Sequence, residues 1–475
     1  MIIKVVVITA YALAIIGIGI AGLRRTRSFN DFFLGGGEVG PWMTAFTYAT
    51  AYFSAVLFIG FAGKIGWGFG YSGLWIALGN ALIGVLLVWG VLGWRIKRMS
   101  IEYEVATMAE FFEKRYDSRF LKLFASLCIF VFFIPYSSAV FMGLSYLFQA
   151  NFGIDYTFAL AAMGTFTSIY LVLGGYKSMA MVDVVFGMIM LVGVTILFGF
   201  TLDAGGGLAS ITEQLAAIEP ALTQAIGPPG VWPLFCLIFL TSIAPLGMPQ
   251  LVQKFYAIKD QRSIRIGMVA STLFALLIGG VAYFTGSTAR LFLNPENAPT
   301  AFADGSPVFD AIMPELLARV IPESLSVVML LLILSASMST LAALVLIASS
   351  SLVKDLYAGF VNREAGDTHL MTLMRIASVV FILISVVLAS FRPSTIVAVL
   401  GISWGAIGSV FLGPFLWGLL TDRANKTGAI VASVSGLVVC LGMYIAGRPS
   451  PEAGTIGMMV SLVLVPVAGT LQGKS

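Results

Sequence analysis

Between Leu325 and Val353 the chain runs 29 residues without a charged side chain, and the middle of this apolar run carries the polar stretch Ser335–Thr340. A membrane-spanning helix needs about 20 apolar residues at roughly 1.5 Å each, so the run predicts a transmembrane helix. Ser339 and Thr340 then lie near the middle of the bilayer, where no water is present to bond their oxygen atoms. The sequence therefore predicts polar groups held deep inside a membrane protein.

The overall composition supports this interpretation. Hydrophobic residues make up 59% of the chain and charged residues 11%, which leaves too few polar residues to coat a soluble domain. We therefore predict an all-α integral membrane protein with the lipid bilayer as its partner. A hydropathy window of about 19 residues gives about thirteen candidate spans. They lie near 3–22, 42–63, 72–94, 121–149, 155–173, 179–201, 232–252, 265–287, 325–353, 371–390, 394–419, 427–446 and 453–471.

The distribution of basic residues predicts the orientation. With the N-terminus outside, all but six of the 27 basic residues fall on inside loops, including Arg24, Arg25 and Arg27 directly after the first span. The six on the outside are Lys4, Lys64, Arg290, Arg319, Arg392 and Arg448. This asymmetry predicts a multi-pass protein of the cytoplasmic membrane, with its N-terminus outside and its C-terminus cytoplasmic. The net charge of +4 is modest and indicates no nucleic-acid partner.

Two of the spans are predicted to be interrupted. Segment 42–63 is rich in hydroxyl side chains, and segment 232–252 contains Pro245, Gly247 and Pro249. Proline removes backbone donors and frees carbonyl groups, which lipid tolerates only where they face a cavity or a ligand. The two segments are five spans apart and so cross in opposite directions, as an inverted repeat requires.

This topology predicts one transmembrane domain over 1–475. Within it we expect an extra N-terminal helix at 3–23, five-helix repeats at 41–201 and 231–420, and two C-terminal helices at 427–471.

Helical spacing places Ala336, Ser339 and Thr340 on one face, which offers a carbonyl and two hydroxyl oxygens. A neutral cage of such oxygens can hold a hard monovalent cation loosely enough to release it. Alternatively, the two hydroxyls bond back to carbonyls one turn earlier and let helices pack closely. The residues alone leave both interpretations open.

Motifs spread from about residue 24 to 420 resemble, in their order and spacing, those of the sodium/solute symporter family. They are Asp31–Gly37, Ala106–Phe112, Arg115–Tyr116, Gly174–Lys177, Val182–Asp183, Gly247–Pro249, Ser339–Thr340 and Lys354–Tyr357. The resemblance implies a leucine-transporter-like core formed by the second to eleventh spans, with two discontinuous helices. It also implies symport of sodium with a small organic solute by alternating access.

The same resemblance implies a sodium site between the two elements described above. Its ligands would be the Ala336 carbonyl, the Ser339 and Thr340 hydroxyls, and the carbonyls of Thr50 and Phe53 at the break in segment 42–63.

Asp183 is the carboxylate that we place inside a span, which makes it a candidate for gating or for holding an accessory cation. In the alternative, structural interpretation it lies in the first turn of its helix near Lys177, where the helix dipole favours it and water reaches it. In family members that couple two sodium ions, hydroxyls one turn beyond the Ser–Thr pair join the acid. This chain has Ala342 and Ala343 there, so we predict one sodium ion per cycle.

The solute is expected between the two interrupted helices and their neighbours. The candidate side chains are Tyr52, Ser54, Tyr136, Thr241, Ser242 and Trp404. The run Ala51–Ala55 resembles carriers of carboxylates, which favours a monocarboxylate, pantothenate or an amino acid over a sugar. Because we find no buried Arg or Lys in the spans, a carboxylate would rest on helix N-termini and hydroxyls.

Other classes of function fit the sequence less well. The sole histidine, His369, falls in an inside loop, and neither an HExxH motif nor a paired intramembrane aspartate occurs. We therefore predict no enzyme, no catalytic residue and no cofactor apart from the co-transported sodium ion. A transporter-derived sensor and a sodium-independent solute channel are the alternatives.

Overall fold

The computed structural model describes residues 2–23, 28–37 and 39–472, so Arg24, Arg25 and Arg27, predicted to face inside, lie outside the described residues. Within the described part the fold is helical apart from one short antiparallel pair, β1 (Phe302–Ala303) and β2 (Ser306–Pro307). Eleven helices there are long and apolar enough to cross a membrane. The all-α membrane class is confirmed, while the count of thirteen spans stays a prediction.

The first α-helices run through the N-terminal half of the chain. They are α1 (Ile2–Leu23), α2 (Phe29–Leu34), α3 (Pro41–Tyr52), α4 (Ala62–Phe69), α5 (Leu74–Gly79), α6 (Trp94–Glu102), α7 (Met108–Tyr116), α8 (Arg119–Phe152) and α9 (Tyr156–Ala204). π-Helical segments, Val56–Phe61 and Asn80–Gly93, lead into α4 and α6. The predicted spans 155–173 and 179–201 both fall in α9, which kinks at Gly175 with a φ of 71° that glycine adopts without strain.

The second half continues with helices of similar length. They are α10 (Leu208–Ile218), α11 (Val231–Ile243), α12 (Pro249–Tyr256), α13 (Gln261–Ser287), α14 (Ala289–Phe292), α15 (Phe309–Val320), α16 (Ser326–Ser350), α17 (Asp367–Ser390), α18 (Ile396–Leu420), α19 (Lys426–Ile445) and α20 (Ser450–Gln472). A π-helical segment, Ser351–Val361, extends α16. Short 3₁₀ turns lie at Gly35–Gly37, Gly70–Gly73, Pro220–Thr223, Ala244–Gly247, Pro299–Ala301 and Glu323–Leu325.

Helix α16 lies at the centre of the helices. It is apolar on all faces apart from its serine and threonine side chains, and almost every residue from Met329 to Ser350 is buried. A helix with that composition is stable only when other helices surround it. It packs against α8 and α9 and also against α3.

Both predicted interruptions are present. Helix α3 ends at Tyr52, because Phe53 adopts an extended conformation with φ −114° and ψ 128°. Helix α11 gives way to the 3₁₀ turn Ala244–Gly247 and to Met248, with φ −78° and ψ 119°, before α12 begins. Pro245 lies in that turn and Pro249 begins α12, and neither supplies a backbone N–H to continue a helix.

The two interrupted helices meet at one side of the molecule. The N–H of Val39, just before α3, donates to the carbonyl of Ala257 at 3.1 Å, and the N–H of Lys259 donates to the carbonyl of Val39 at 3.3 Å. The beginning of α3 therefore lies against the end of α12. The two helices run in opposite directions, as an inverted repeat needs, although the repeat itself stays a prediction.

Glycine permits a close contact between α4 and α13. A Cβ atom on Gly66 would lie 2.1 Å from the carbonyl carbon of Gly286, and one on Gly286 would lie 2.0 Å from the carbonyl oxygen of Ala62. Any side chain at either position would force the two backbones apart. Helix α4, the second part of the first interrupted helix, is thus held directly against α13.

Candidate functional site

Four oxygen atoms converge around Thr340. Its hydroxyl oxygen lies 3.2 Å from the carbonyl oxygen of Ala336, 3.3 Å from that of Ala51 and 3.5 Å from that of Phe53. A hydroxyl carries one proton and can donate to one of these acceptors at a time. Carbonyl lone pairs at the break therefore remain available to a cation.

Ser339 joins this cluster through a side chain of α3. The Ser339 hydroxyl donates to the Thr50 hydroxyl at 2.8 Å, which donates in turn to the carbonyl of Phe46 at 2.7 Å. Ser339, Thr340 and Thr50 are all fully buried. All five predicted sodium-site residues thus lie at this junction of α3 and α16, with Thr50 contributing its hydroxyl to the contact with Ser339.

Ala51 was missed by the sequence argument, because a backbone ligand has no side-chain signal and depends on where the helix breaks. The Thr340 hydroxyl also bonds to the Ala336 carbonyl one turn earlier, as the alternative interpretation of local hydrogen bonding expects. The two interpretations therefore describe the same atoms, since the hydroxyl that bonds back also reaches across to α3.

The backbone N–H groups after the first break already have partners. Ala55 donates to the Ser337 hydroxyl at 3.0 Å, and Val56 donates to the Ser54 hydroxyl at 3.2 Å. These hydroxyls satisfy donors that a helix N-terminus otherwise leaves free. These two N–H groups are therefore already occupied and are not free to bind a solute carboxylate at this helix N-terminus.

A small cavity lies between the two interrupted helices. Of the six predicted solute-site side chains, five line it: Tyr52, Ser54, Tyr136, Thr241 and Trp404. Ser242 does not line it and instead contacts the amide of Asn80 at 3.0 Å. The cavity measures about 30 Å³, which is room for only about two water molecules. A solute larger than this could enter the cavity only if the surrounding helices moved apart.

Aromatic rings form much of the cavity wall. The Trp404 ring packs edge to face with Tyr136 at 5.8 Å and with Tyr52 at 6.2 Å between centroids. The Tyr52 hydroxyl donates to the carbonyl of Thr241 at 2.5 Å and so connects the two interrupted helices. The indole N–H of Trp404 is buried and makes no well-aligned hydrogen bond, although the Tyr136 hydroxyl lies close to it. The cavity wall therefore holds a buried donor whose hydrogen bonding is incomplete.

Asn80 and Tyr283 also line the cavity and were missed from the sequence. With its amide nitrogen turned inward, Asn80 donates to the Thr241 hydroxyl at 2.9 Å. Asn80 is the only amide side chain in segment 72–94, and this isolation was the signal that could have identified it.

Two charged side chains, Asp183 and Lys254, are buried among the helices. Asp183, in α9, is fully buried, and neither carboxylate oxygen has a hydrogen-bond partner. The alternative that water reaches Asp183 from the first turn of its helix is therefore wrong.

Lys254 is also fully buried, so the expectation that the spans hold no buried Arg or Lys is wrong as well. The hydropathy window ended at residue 252, whereas α12 continues to Tyr256 and packs against α3 and α16.

A polar cluster joins α7 to the end of the α16 extension. The Glu110 carboxylate pairs with the Lys354 ammonium at 2.8 Å, and Asp355 accepts a hydrogen bond from the Thr107 hydroxyl at 2.7 Å. Burial acts to raise the pKa of Glu110, but Lys354 and the N–H of Ala106 outweigh it and hold this pKa below its ordinary value. The loop motifs that carried the family resemblance therefore meet in space.

On the opposite side, a carboxylate holds the beginning of α18. Asp310, in α15, accepts the N–H of Ile396 at 3.0 and 3.3 Å from its two oxygens. Burial raises the pKa of Asp310 from its ordinary 3.8 to about 6, against the lowering effects of that N–H and of Lys64. Helices α15 and α18 are thus connected through a titratable group.

Comparison with known proteins identifies the family of this chain. The model of the sodium:solute symporter family matches residues 32–436. The osmoregulated proline transporter OpuE of Bacillus subtilis (strain 168) is 28% identical over 97% of this chain and 92% of its own. The sodium/pantothenate symporter of Escherichia coli (strain K12) is 27% identical over 91% of this chain and 88% of its own.

Solved structures show the same fold. A substrate-bound, outward-open Na⁺-coupled sialic acid symporter matches with a TM-score of 0.84 at 19% identity, over 99% of this chain and 98% of its own. Mhp1, a nucleobase-cation-symport-1 family transporter, matches with a TM-score of 0.56 at 12% identity, over 92% of this chain and 93% of its own. Because the family model covers most of its length, this chain belongs to the sodium:solute symporter family of membrane transporters, and sodium is the ion that it moves with its solute.

Proposed function

We propose that this protein carries a small carboxylate-bearing solute, such as a monocarboxylate, pantothenate or an amino acid, together with one sodium ion by alternating access. The observation that carries this proposal is an aromatic cavity between two interrupted helices, lined by Trp404, whose buried indole N–H makes no well-aligned hydrogen bond and has the Tyr136 hydroxyl close to it. The solutes named for two relatives, proline and pantothenate, each bear a carboxylate.

The chemistry of the cavity favours this class of solute. A buried donor without a partner costs about 1–3 kcal/mol, which a solute carboxylate recovers by accepting its hydrogen bond. The aromatic walls formed by Tyr52, Tyr136 and Tyr283 suit an apolar solute body. A sugar would need a partner for each of its hydroxyls, and this lining offers few.

The proposed sodium site adjoins the solute cavity. Its ligands are the oxygens of Thr50, Phe53, Ala336, Ser339 and Thr340, with the additional carbonyl of Ala51. Phe53 also lines the cavity, so the same break in the first interrupted helix serves both sites. Binding of either ligand then orders the break for the other, which couples the two.

One sodium ion supplies enough energy for concentrative uptake. A positive charge crossing 100 mV contributes about 2.3 kcal/mol, and a tenfold sodium gradient adds about 1.4 kcal/mol. Together these sustain a solute gradient of roughly a few hundredfold.

The proposed orientation places the N-terminus outside and the C-terminus in the cytoplasm, as the excess of basic residues on inside loops indicates. The core then consists of the repeats 41–201 and 231–420. The Glu110–Lys354 pair lies on the cytoplasmic side, and the Asp310 contact lies on the outside.

The proposal is tested with purified protein. A thermal-shift screen of amino acids, short carboxylates, vitamins and sugars, in sodium and in potassium, identifies solutes, because a bound ligand stabilises the fold. Uptake of the best solute into proteoliposomes is then measured with and without an inward sodium gradient. Faster uptake with the gradient is expected. Equal uptake would favour a channel, and binding without uptake would favour a sensor; either result refutes the proposal.

A further inference from the structure

Lys254 is buried in a place where an ammonium group has little stabilisation. In the part of the chain that the structure describes, its Nζ atom has the Met179 sulfur at 4.0 Å and the centre of the Tyr176 ring at 5.0 Å. A sulfur atom and a ring face are weak partners for a fully buried cation. The charge therefore needs an anion close by.

Asp183 is the matching anion. It follows Met179 by one turn on α9, is fully buried, and has neither oxygen in a hydrogen bond. The Ser339 hydroxyl lies near it but gives its proton to Thr50. The Lys254 ammonium lies 4.0 Å from Met179, one turn before Asp183 on α9, and within the described residues Asp183 and Lys254 are the charged groups that act on each other electrostatically.

Burying either charge alone would be costly, whereas the two together form a neutral unit. If Lys254 were absent, Asp183 would need another cation from solution. The native surroundings of Asp183 are thus completed by an ammonium group.

We propose that Lys254 is the resident counter-cation of Asp183 and thereby sets the number of sodium ions carried per solute at one. This inference rests on the proposed function, because it concerns the cation count of the same transport cycle. Lys254 contacts neither the solute cavity nor the oxygens around Thr340. It acts through the charge of Asp183.

The test counts sodium ions. Initial uptake of radioactive sodium and of the identified solute is compared in proteoliposomes at mildly alkaline pH, where protons compete least for carboxylates. We expect one sodium per solute for the native protein and two for Lys254→Met, with a steeper dependence of uptake on sodium concentration in the variant.

Three further variants separate charge from structure. Lys254→Arg keeps the cation and should keep one sodium. The double variant Asp183→Asn with Lys254→Met removes both charges and should return to one. Lys97→Met is the matched control, because Lys97 is also a buried lysine but donates to the carbonyl of Tyr256 at 2.9 Å; it should keep one sodium.

Two results would overturn the inference: two sodium ions per solute in the native protein, or a single ion in a Lys254→Met variant that still transports. If Lys254→Met does not fold, two other measurements decide the inference. The native protein must carry one sodium ion per solute, and the double variant must fold and also carry one. Native uptake that ignores sodium altogether is a different result, which refutes the proposed function instead.

Discussion

The sodium site is best tested by replacing Thr340 with valine. Valine keeps the shape of threonine and its packing inside α16, but it removes the hydroxyl oxygen that meets the carbonyls of Ala51, Phe53 and Ala336. The backbone carbonyls remain in place, so the fold should persist. The change therefore removes one of the proposed ligands and leaves the others.

The size of the effect follows from the contacts. A hydrogen bond or oxygen contact to a charged group is worth about 1.5–3 kcal/mol, and 1.4 kcal/mol is a factor of about ten. The sodium concentration for half-maximal uptake should rise roughly 10- to 150-fold in Thr340→Val. Thr340→Ser keeps the hydroxyl and should stay close to the native value.

The assay is solute uptake into proteoliposomes over a range of sodium concentrations, with the melting temperature recorded for each variant. An unchanged sodium dependence in Thr340→Val, with the fold intact, would show that the hydroxyl serves helix packing alone. Equal losses in Thr340→Val and Thr340→Ser would point to packing as well, because the serine variant retains the oxygen.

Two further predictions concern solute recognition and pH. Trp404→Phe removes the buried indole donor while keeping an aromatic ring, and should raise KM for the solute roughly tenfold or more at nearly unchanged sodium dependence; an unaltered KM would exclude the indole as a solute ligand. Because the pKa of Asp310 is raised from 3.8 to about 6, its contribution to stability grows as the pH falls from about 6 towards 4, and the melting temperature should lose this rise in Asp310→Asn. The same acid-dependent rise in both proteins would assign the effect to another group.

The sequence predicted the elements whose signals are local. Pro245 and Pro249 indicated the second interruption, and the hydroxyls of Ser339 and Thr340 indicated where polar chemistry lies in α16. Five of the six proposed solute-site side chains share one cavity. In each of these cases the residue type itself carries the relevant chemistry.

The features that sequence reasoning missed depend on tertiary packing. Ala51 contributes a carbonyl because α3 ends one residue later, and Asn80, the first residue of a π-helical segment, lines a cavity formed by several helices. Lys254 looked like a loop cation because its charge ended the apolar window. Only the packing of α12 against its neighbours buries it.

The backbone pairing of Val39 with Ala257 and Lys259 has a consequence for leakage. It links the beginning of α3, which leads to the sodium-site residues, to the end of α12, which carries Lys254. If α3 moved alone, these two hydrogen bonds would break, whereas a joint movement of α3 and α12 preserves them. In the proposed transport cycle, a joint movement would release the ion and the solute through a single opening, which would prevent sodium from crossing the protein without solute.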